Sequence, residues 1–133
     1  MGKVEFTKEQ QAAVYGVGNT IVSAGAGSGK TAVMIERITE KLKAGKSLEN
    51  MLIVTFTRAA AADIKVKLVE KLKDLRKTHP AAAQAALEAL PVSDIGTLHG
   101  FCQRLIKTYF YAAGVDPSAV VCEDGEAKIY KRA

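Results

Sequence analysis

The sequence predicts an α/β fold in which a parallel sheet is flanked by helices. Three observations predict it. Short β-branched or apolar runs alternate along the chain with amphipathic runs of helical period. Turn residues separate those runs. One strand-to-helix junction carries the loop Ala24-Gly25-Ala26-Gly27-Ser28-Gly29-Lys30-Thr31, whose small residues suit a backbone wrapped around an anion.

The elements follow in chain order. A first helix is expected from Lys8 to Tyr15, with Thr7 as N-cap and Gly16 or Gly18 ending it. The β-branched stretch Asn19 to Ser23 supplies a first strand, Thr20 to Ala24, before the glycine-rich loop. A second helix, Thr31 to Lys43, places Ile35, Ile38 and Leu42 on one face, and Gly45 is positioned to terminate it. Met51 to Phe56 reads as a second strand. From Arg58, the spacing of Ala61, Ile64, Leu68, Leu72 and Leu75 makes one apolar stripe along a long helix. Its opposite face interleaves Lys65, Lys67, Lys73 and Lys77 with Asp63, Glu70 and Asp74, the pattern of a solvated surface. Pro80 opens an alanine-rich helix, Ala81 to Leu90. Val92 to Ile95 is a third strand despite Asp94, Leu98 to Ala112 is a further amphipathic helix, and Glu123 to Ala133 has the pattern of another helix's opening turns. There is no internal repeat.

Composition narrows the class without deciding function. At 133 residues the chain fits one domain that buries about two thirds of its unfolded surface. No apolar run reaches membrane-spanning length, and Met1 to Gln11 lacks a signal peptide's apolar centre, so a soluble, cytoplasmic protein is expected. Cys102 and Cys122 are too few for a disulfide framework and lack zinc-site spacing, which makes both reduced, packed thiols. The net charge of +5 suits a polyanionic partner but equally suits solvated helix faces.

The loop carries the sharpest chemistry. Backbone N–H groups from Gly25, Ala26, Gly27, Ser28 and Gly29 can turn inward on phosphate oxygens, helped by the positive end of the following helix. Lys30 then bridges the outer phosphates and the Thr31 hydroxyl ligates Mg2+. The pattern usually begins with glycine. Ala24 stands there instead, still small but restricted to ordinary backbone conformations. The rival reading is a glycine-rich turn without a ligand.

Other segments have two readings each. Thr7-Lys8-Glu9-Gln10 is a capping box, yet the Gln10 amide also offers the coplanar donor and acceptor that match the adenine edge. Gln11 is the weaker candidate for that role. Phe56, Thr57 and Arg58 lie where a strand gives way to a helix, at the end of a parallel sheet where ligands collect. Phe56 could stack on a base while Thr57 and Arg58 hold phosphates; alternatively Phe56 is core and Thr57 only an N-cap. Thr97 and His99 divide likewise between helix cap or structural histidine and nucleic-acid contact.

Four segments together resemble superfamily 1 helicases, the UvrD and RecB group. Phe6-Thr7-Lys8-Glu9-Gln10-Gln11-Ala12-Ala13-Val14 is similar to their amino-terminal glutamine motif, and the glycine-rich loop to their motif I. Thr55-Phe56-Thr57-Arg58-Ala59-Ala60-Ala61 is similar to motif Ia, and Gly96-Thr97-Leu98-His99-Gly100-Phe101-Cys102 to motif Ib. The long helical insertion before the last motif and its wording are most similar to the AddA-type helicase-nuclease and RecB branch. Residues from about Phe6 to Asp124 are covered.

The resemblance implies a P-loop NTPase, RecA-like sheet, with residues 1–133 forming the amino-terminal part of motor domain 1A and stopping before Walker B. It implies ATP and Mg2+ as cofactors, with Gln10, Ala24 to Gly29, Lys30 and Thr31 at the nucleotide and Lys30 and Thr31 in catalysis. It implies single-stranded DNA on Phe56, Thr57, Arg58, Thr97 and His99. The implied whole is an ATP-dependent DNA helicase-nuclease of double-strand break processing and recombinational repair. It would have duplex DNA as substrate, a second motor domain and a partner nuclease subunit.

Departures from the family pattern bear on catalysis. Ala32 replaces an arginine that the UvrD branch often places near the base. Hydrolysis also requires an acidic strand-end pair and charge-stabilising arginines. The nearest imitation, Ala119-Val120-Val121-Cys122 followed by Glu123-Asp124, has its acids in reversed order and reads better as a surface turn. The fragment is therefore expected to bind nucleotide without appreciable turnover. Two alternatives come from other classes: a non-catalytic DNA-binding fragment, and a small P-loop kinase, for which Arg58, Arg76, Arg104 and Arg132 form no lid segment.

Overall fold

The computed structural model describes residues 5–25, 27–116, 118–120 and 122. The chain divides into two compact units, Met1–Leu98 and His99–Ala133. The first contains helices α1 (Lys8–Tyr15), α2 (Lys30–Lys43), α3 (Arg58–Leu75) and α4 (Pro80–Ala89), and strands β1 (Leu52–Thr55) and β2 (Asp94–Thr97). Helix α5 (Leu98–Thr108) begins at its last residue, and α6 (Phe110–Ala113) follows.

Strands β1 and β2 pair in parallel, with Ile53 opposite Ile95 and Thr55 opposite Thr97. A parallel pair needs a long crossover, and α3 and α4 provide it. Thr57 starts α3 by accepting the Ala60 N–H on its hydroxyl at 3.1 Å, the N-cap bond that satisfies one otherwise orphaned donor. The predicted stripe of Ala61, Ile64, Leu68, Leu72 and Leu75 is buried throughout. It joins Ile35, Ile38 and Leu42 of α2, Ala83, Ala86 and Ala89 of α4, and Ile53 and Ile95 of the sheet in one core. Ala83, Ala86 and Ala89 are the buried residues of α4. On the outer face of α3, Lys67 pairs with Asp63 and Lys77 with Asp74, as the charge spacing predicts. Lys71 reaches Glu36 on α2 at 2.6 Å.

The helix ends match their sequence signals. Thr7 caps α1 in a reciprocal capping box with Gln10, and Gly16 is its C-cap. Gly45 follows α2 at φ +79°, and its N–H donates to Leu42 O at 3.0 Å, the left-handed stop that glycine permits.

Several expectations are corrected. Thr20 to Ala24 is not a strand, and Ile21 is 98% exposed. A β-branched run becomes a strand only where a neighbour completes its ladder and covers a face, and the described residues pair β1 with β2 alone. The third strand lies two residues later than expected, at Asp94–Thr97, because Leu90–Val92 closes into a 3-10 turn. The last helix divides at Tyr109, whose φ of −114° and ψ of 30° leave the helical region. Cys102 and Cys122 are free but exposed rather than packed; Cys102 lies on α5, which has no buried residue. Glu123, Asp124 and the helix expected up to Ala133 lie outside the described residues.

Candidate nucleotide and nucleic-acid site

The glycine-rich loop runs directly into α2. Gly27 and Gly29 have φ of +76° and +80°, conformations that a side chain would strain. Gly29 is the N-cap of α2 and provides no side-chain cap. The first bond from the helix to its cap is Val33 N–H to Gly29 O at 3.0 Å, so the amides of Lys30, Thr31 and Ala32 precede the helical ladder. These are the donors, at the positive end of the helix dipole, that an anion can accept from.

The loop is braced internally. Gly25 O accepts from Ser28 Oγ at 2.7 Å and from Lys30 Nζ at 2.6 Å. Lys30 Nζ also donates to Ala24 O at 2.6 Å. The lysine thus spans the loop from the helix side, held by neutral carbonyls. Thr31 is half-buried in the first turn, whereas Lys30 and the described loop residues from Ala24 to Gly29 are exposed. Ala26 lies outside the described residues.

Gln10 comes to this loop from α1. Its Oε1 accepts the Thr7 N–H at 2.8 Å and its Nε2 donates to Ser28 O at 3.1 Å. Those partners fix which end of the amide is which. The same nitrogen lies 3.3 Å from where a Cβ on Gly29 would stand, so the φ of +80° favours glycine there and a side chain would also press on the Gln10 amide. Gln11 turns away and donates to Phe6 O at 3.0 Å. The capping-box reading of Gln10 is therefore present in the structure, together with a loop contact that the local sequence pattern did not reveal.

Sequence reasoning missed Arg37. Its Nη1 donates to Ala13 O at 2.6 Å and to Val14 O at 3.3 Å, the carbonyls near the end of α1. The one signal was spacing, since Arg37 lies seven residues after Lys30 and so on the same side of α2.

At the carboxyl end of β1, Phe56 is fully exposed. The core alternative for Phe56 is thereby overturned. Thr57 is the N-cap of α3 and Arg58 its first residue, both exposed. Thr55 Oγ1 donates to Thr57 O at 2.8 Å and braces this turn. The register places Thr97 beside Thr55, so the structure brings Phe56, Thr57, Arg58 and Thr97 to the carboxyl end of the two-stranded sheet. His99, exposed in the first turn of α5, belongs to the second unit.

Comparison with known proteins adds a family. Residues 6–131 match the UvrD/REP helicase N-terminal domain. The chain is 43% identical over 122 residues to an ATP-dependent helicase/nuclease subunit of Levilactobacillus brevis, covering 86% of this chain and 10% of that protein. It is 37% identical over 133 residues to the protein of the same name from Anoxybacillus flavithermus, covering 96% of this chain and 11% of the relative. The exonuclease/helicase subunit RexA of Lactococcus lactis subsp. cremoris is 39% identical over 130 residues, or 93% of this chain and 11% of that protein. The chain thus spans about a tenth of the length of the curated relatives it matches. No helix among the described residues is long and apolar enough to cross a membrane.

Proposed function

Because the chain belongs to the UvrD/REP helicase N-terminal domain family, we propose that it forms the ATP-binding and single-stranded-DNA-contacting part of an AddA-type helicase-nuclease. The observation that carries this reading is the placement of Lys30 across an exposed loop that opens a helix whose first amides have no side-chain cap. Phosphate oxygens compete well for that ammonium, because a charge-assisted bond to an anion is stronger than one to a neutral carbonyl.

ATP fits the residues present. The amides of Gly27, Gly29 and Lys30 would hold the phosphates, Lys30 would neutralise them, and the Thr31 hydroxyl would ligate Mg2+. A bound Mg2+ supplies charge neutralisation at the phosphates. The two readings of Gln10 are compatible on this view. One N–H is bonded to Ser28 O and one Oε1 lone pair to the Thr7 amide, which leaves one donor and one acceptor for an adenine edge.

Phe56 offers a bare aromatic face for base stacking. Thr57, Arg58, Thr97 and the amides at the start of α3 would hold backbone phosphates, and His99, in the second unit, would make a nucleic-acid contact of its own. On this reading residues 1–133 are the amino-terminal part of a RecA-like motor domain. The acidic pair and arginines that complete hydrolysis, a second motor domain and a partner nuclease subunit belong to the rest of the protein. Its ATP-driven movement along DNA would serve double-strand break processing.

Titration of the chain with labelled ATP and with labelled oligonucleotide tests the reading. Weak Mg-ATP binding that disappears in Lys30→Ala is expected, with no appreciable phosphate release. DNA binding without any ATP affinity would favour a non-catalytic DNA-binding module. Robust turnover abolished by Lys30→Ala would place a complete catalytic site within these residues.

A further inference from the structure

Helix α1 has eight residues, a length that does not hold itself together in water. Its position is imposed at three points, two on α2 and one on the loop before it. Ala13 and Val14 bury against Val33, with Phe6 packed alongside. Gln10 Nε2 bonds Ser28 O at the loop end. Arg37 bonds Ala13 O and Val14 O at the other end.

The third contact is the specific one. The last turn of α1 contains no basic residue of its own, so the negative end of its dipole is met by a guanidinium from α2. Gly16 is the C-cap of this turn, where a Cβ would lie 2.7 Å from Ala12 O. The apolar contact resists separation but tolerates sliding, because burial is non-directional. Hydrogen bonds to two successive carbonyls set both angle and register along the helix axis. Lys30 and Arg37 are seven residues apart on one side of α2, so the helix that begins with the loop lysine also fixes where α1 presents Gln10.

We infer that Arg37 is a positioning residue for nucleotide selection, holding α1 so that the Gln10 amide meets the base at a fixed distance from the phosphate loop. The inference rests on the reading of this site as an ATP site with Gln10 at the adenine. Arg37 bonds the end of α1 and so acts through the placement of Gln10.

The test compares the binding of Mg-ATP, Mg-GTP and Mg-tripolyphosphate by the chain and by Arg37→Met and Arg37→Lys variants. Methionine keeps the apolar stem, and lysine keeps a donor that reaches one carbonyl. In Arg37→Met the preference for ATP over GTP falls about tenfold while tripolyphosphate affinity is unchanged; Arg37→Lys restores part of the preference. Unchanged base preference in Arg37→Met overturns the role of Arg37. An equal loss for all three ligands overturns it too, since the residue then supports the loop as a whole. Wild-type chain that binds tripolyphosphate and both nucleotides equally removes the reading of Gln10 itself, an outcome visible before any Arg37 variant is made. Amide hydrogen exchange gives a second readout if Arg37→Met folds poorly: in Arg37→Lys, faster exchange confined to α1 supports the inference, and faster exchange throughout α2 and α3 overturns it.

Discussion

The side-chain nitrogen of Gln10 donates a 3.1 Å hydrogen bond to the Ser28 carbonyl, tying the first turn of α1 to the glycine-rich loop across 18 positions of sequence. One side chain therefore closes a capping box and braces the glycine-rich loop together.

Replacing Gln10 separates the two tasks. Gln10→Glu keeps an acceptor for the Thr7 N–H but sets a carboxylate against Ser28 O, whereas Gln10→Ala removes both bonds. Both variants are expected to lower ATP affinity about tenfold, the scale of one or two lost hydrogen bonds. Only the alanine variant should lose helicity in α1. Nucleotide titration beside circular dichroism checks this, and full ATP affinity in Gln10→Glu would remove the amide from base recognition.

Two loop glycines should respond differently to alanine. Gly29→Ala meets a φ of +80° and the Gln10 nitrogen at 3.3 Å, and should cost about 1–2 kcal/mol in thermal or denaturant unfolding. Gly25→Ala meets nothing within 4 Å and no positive φ, so its stability should stay within about 0.5 kcal/mol. Equal losses would show that the loop's conformation is not what demands glycine at 29.

Phe56 and Thr57 are neighbours with opposite expected signatures. Thr57→Ala removes the N-cap of α3 and should destabilise the fold by about 1 kcal/mol. Phe56→Ala removes a fully exposed ring and should leave stability unchanged while weakening single-stranded DNA binding by about 1–3 kcal/mol. Oligonucleotide titration and unfolding, run on the same two variants, test the split.

Within α3, burial alone should rank substitutions. Leu72 is 0% exposed, and Leu72→Ala is expected to destabilise by about 2–5 kcal/mol through lost burial and the cavity left behind. Val66, on the exposed side of the same helix, should tolerate alanine within about 0.5 kcal/mol. Similar costs at both positions would contradict the packing described.

The end of α3 makes a pH prediction. The Lys77 ammonium beside Asp74 holds its carboxyl below the ordinary value, through a hydrogen bond first and charge second. A carboxyl with a lower pKa in the folded state adds stability above its unfolded pKa, and that contribution disappears as pH falls through the folded value. Asp74 is solvent-exposed, so the visible effect is on its titration midpoint rather than on global stability. Carbon-detected NMR titration should find the midpoint depressed in the wild type and restored in Lys77→Met.

Much of this was legible in the sequence, because local signals state their own physics. The Thr7 cap, the stop at Gly45, the buried stripe from Ala61 to Leu75 and the parallel strand character of residues 52–55 each follow from periodicity or from the conformations a residue permits. The glycine-rich run before Lys30 likewise marked a tight loop ahead of a helix, and Gly27 and Gly29 take positive φ there. Residues 20–24 show the limit of such signals. Their β-branched composition states a preference, and a preference forms no ladder without a neighbour.

By itself, then, the sequence determined where α1 to α4 form, which face of α3 is buried and where a glycine-rich loop precedes a helix. Only the tertiary structure decided that Gln10 braces Ser28, that Arg37 holds the end of α1, and that Phe56 stands in solvent at the same end of the sheet as Thr97. Local conformation depends on neighbours within a turn or two, which the sequence displays directly. Contacts across 18 or 24 positions depend on how packed helices bring remote atoms within hydrogen-bonding reach, and no local pattern records that distance.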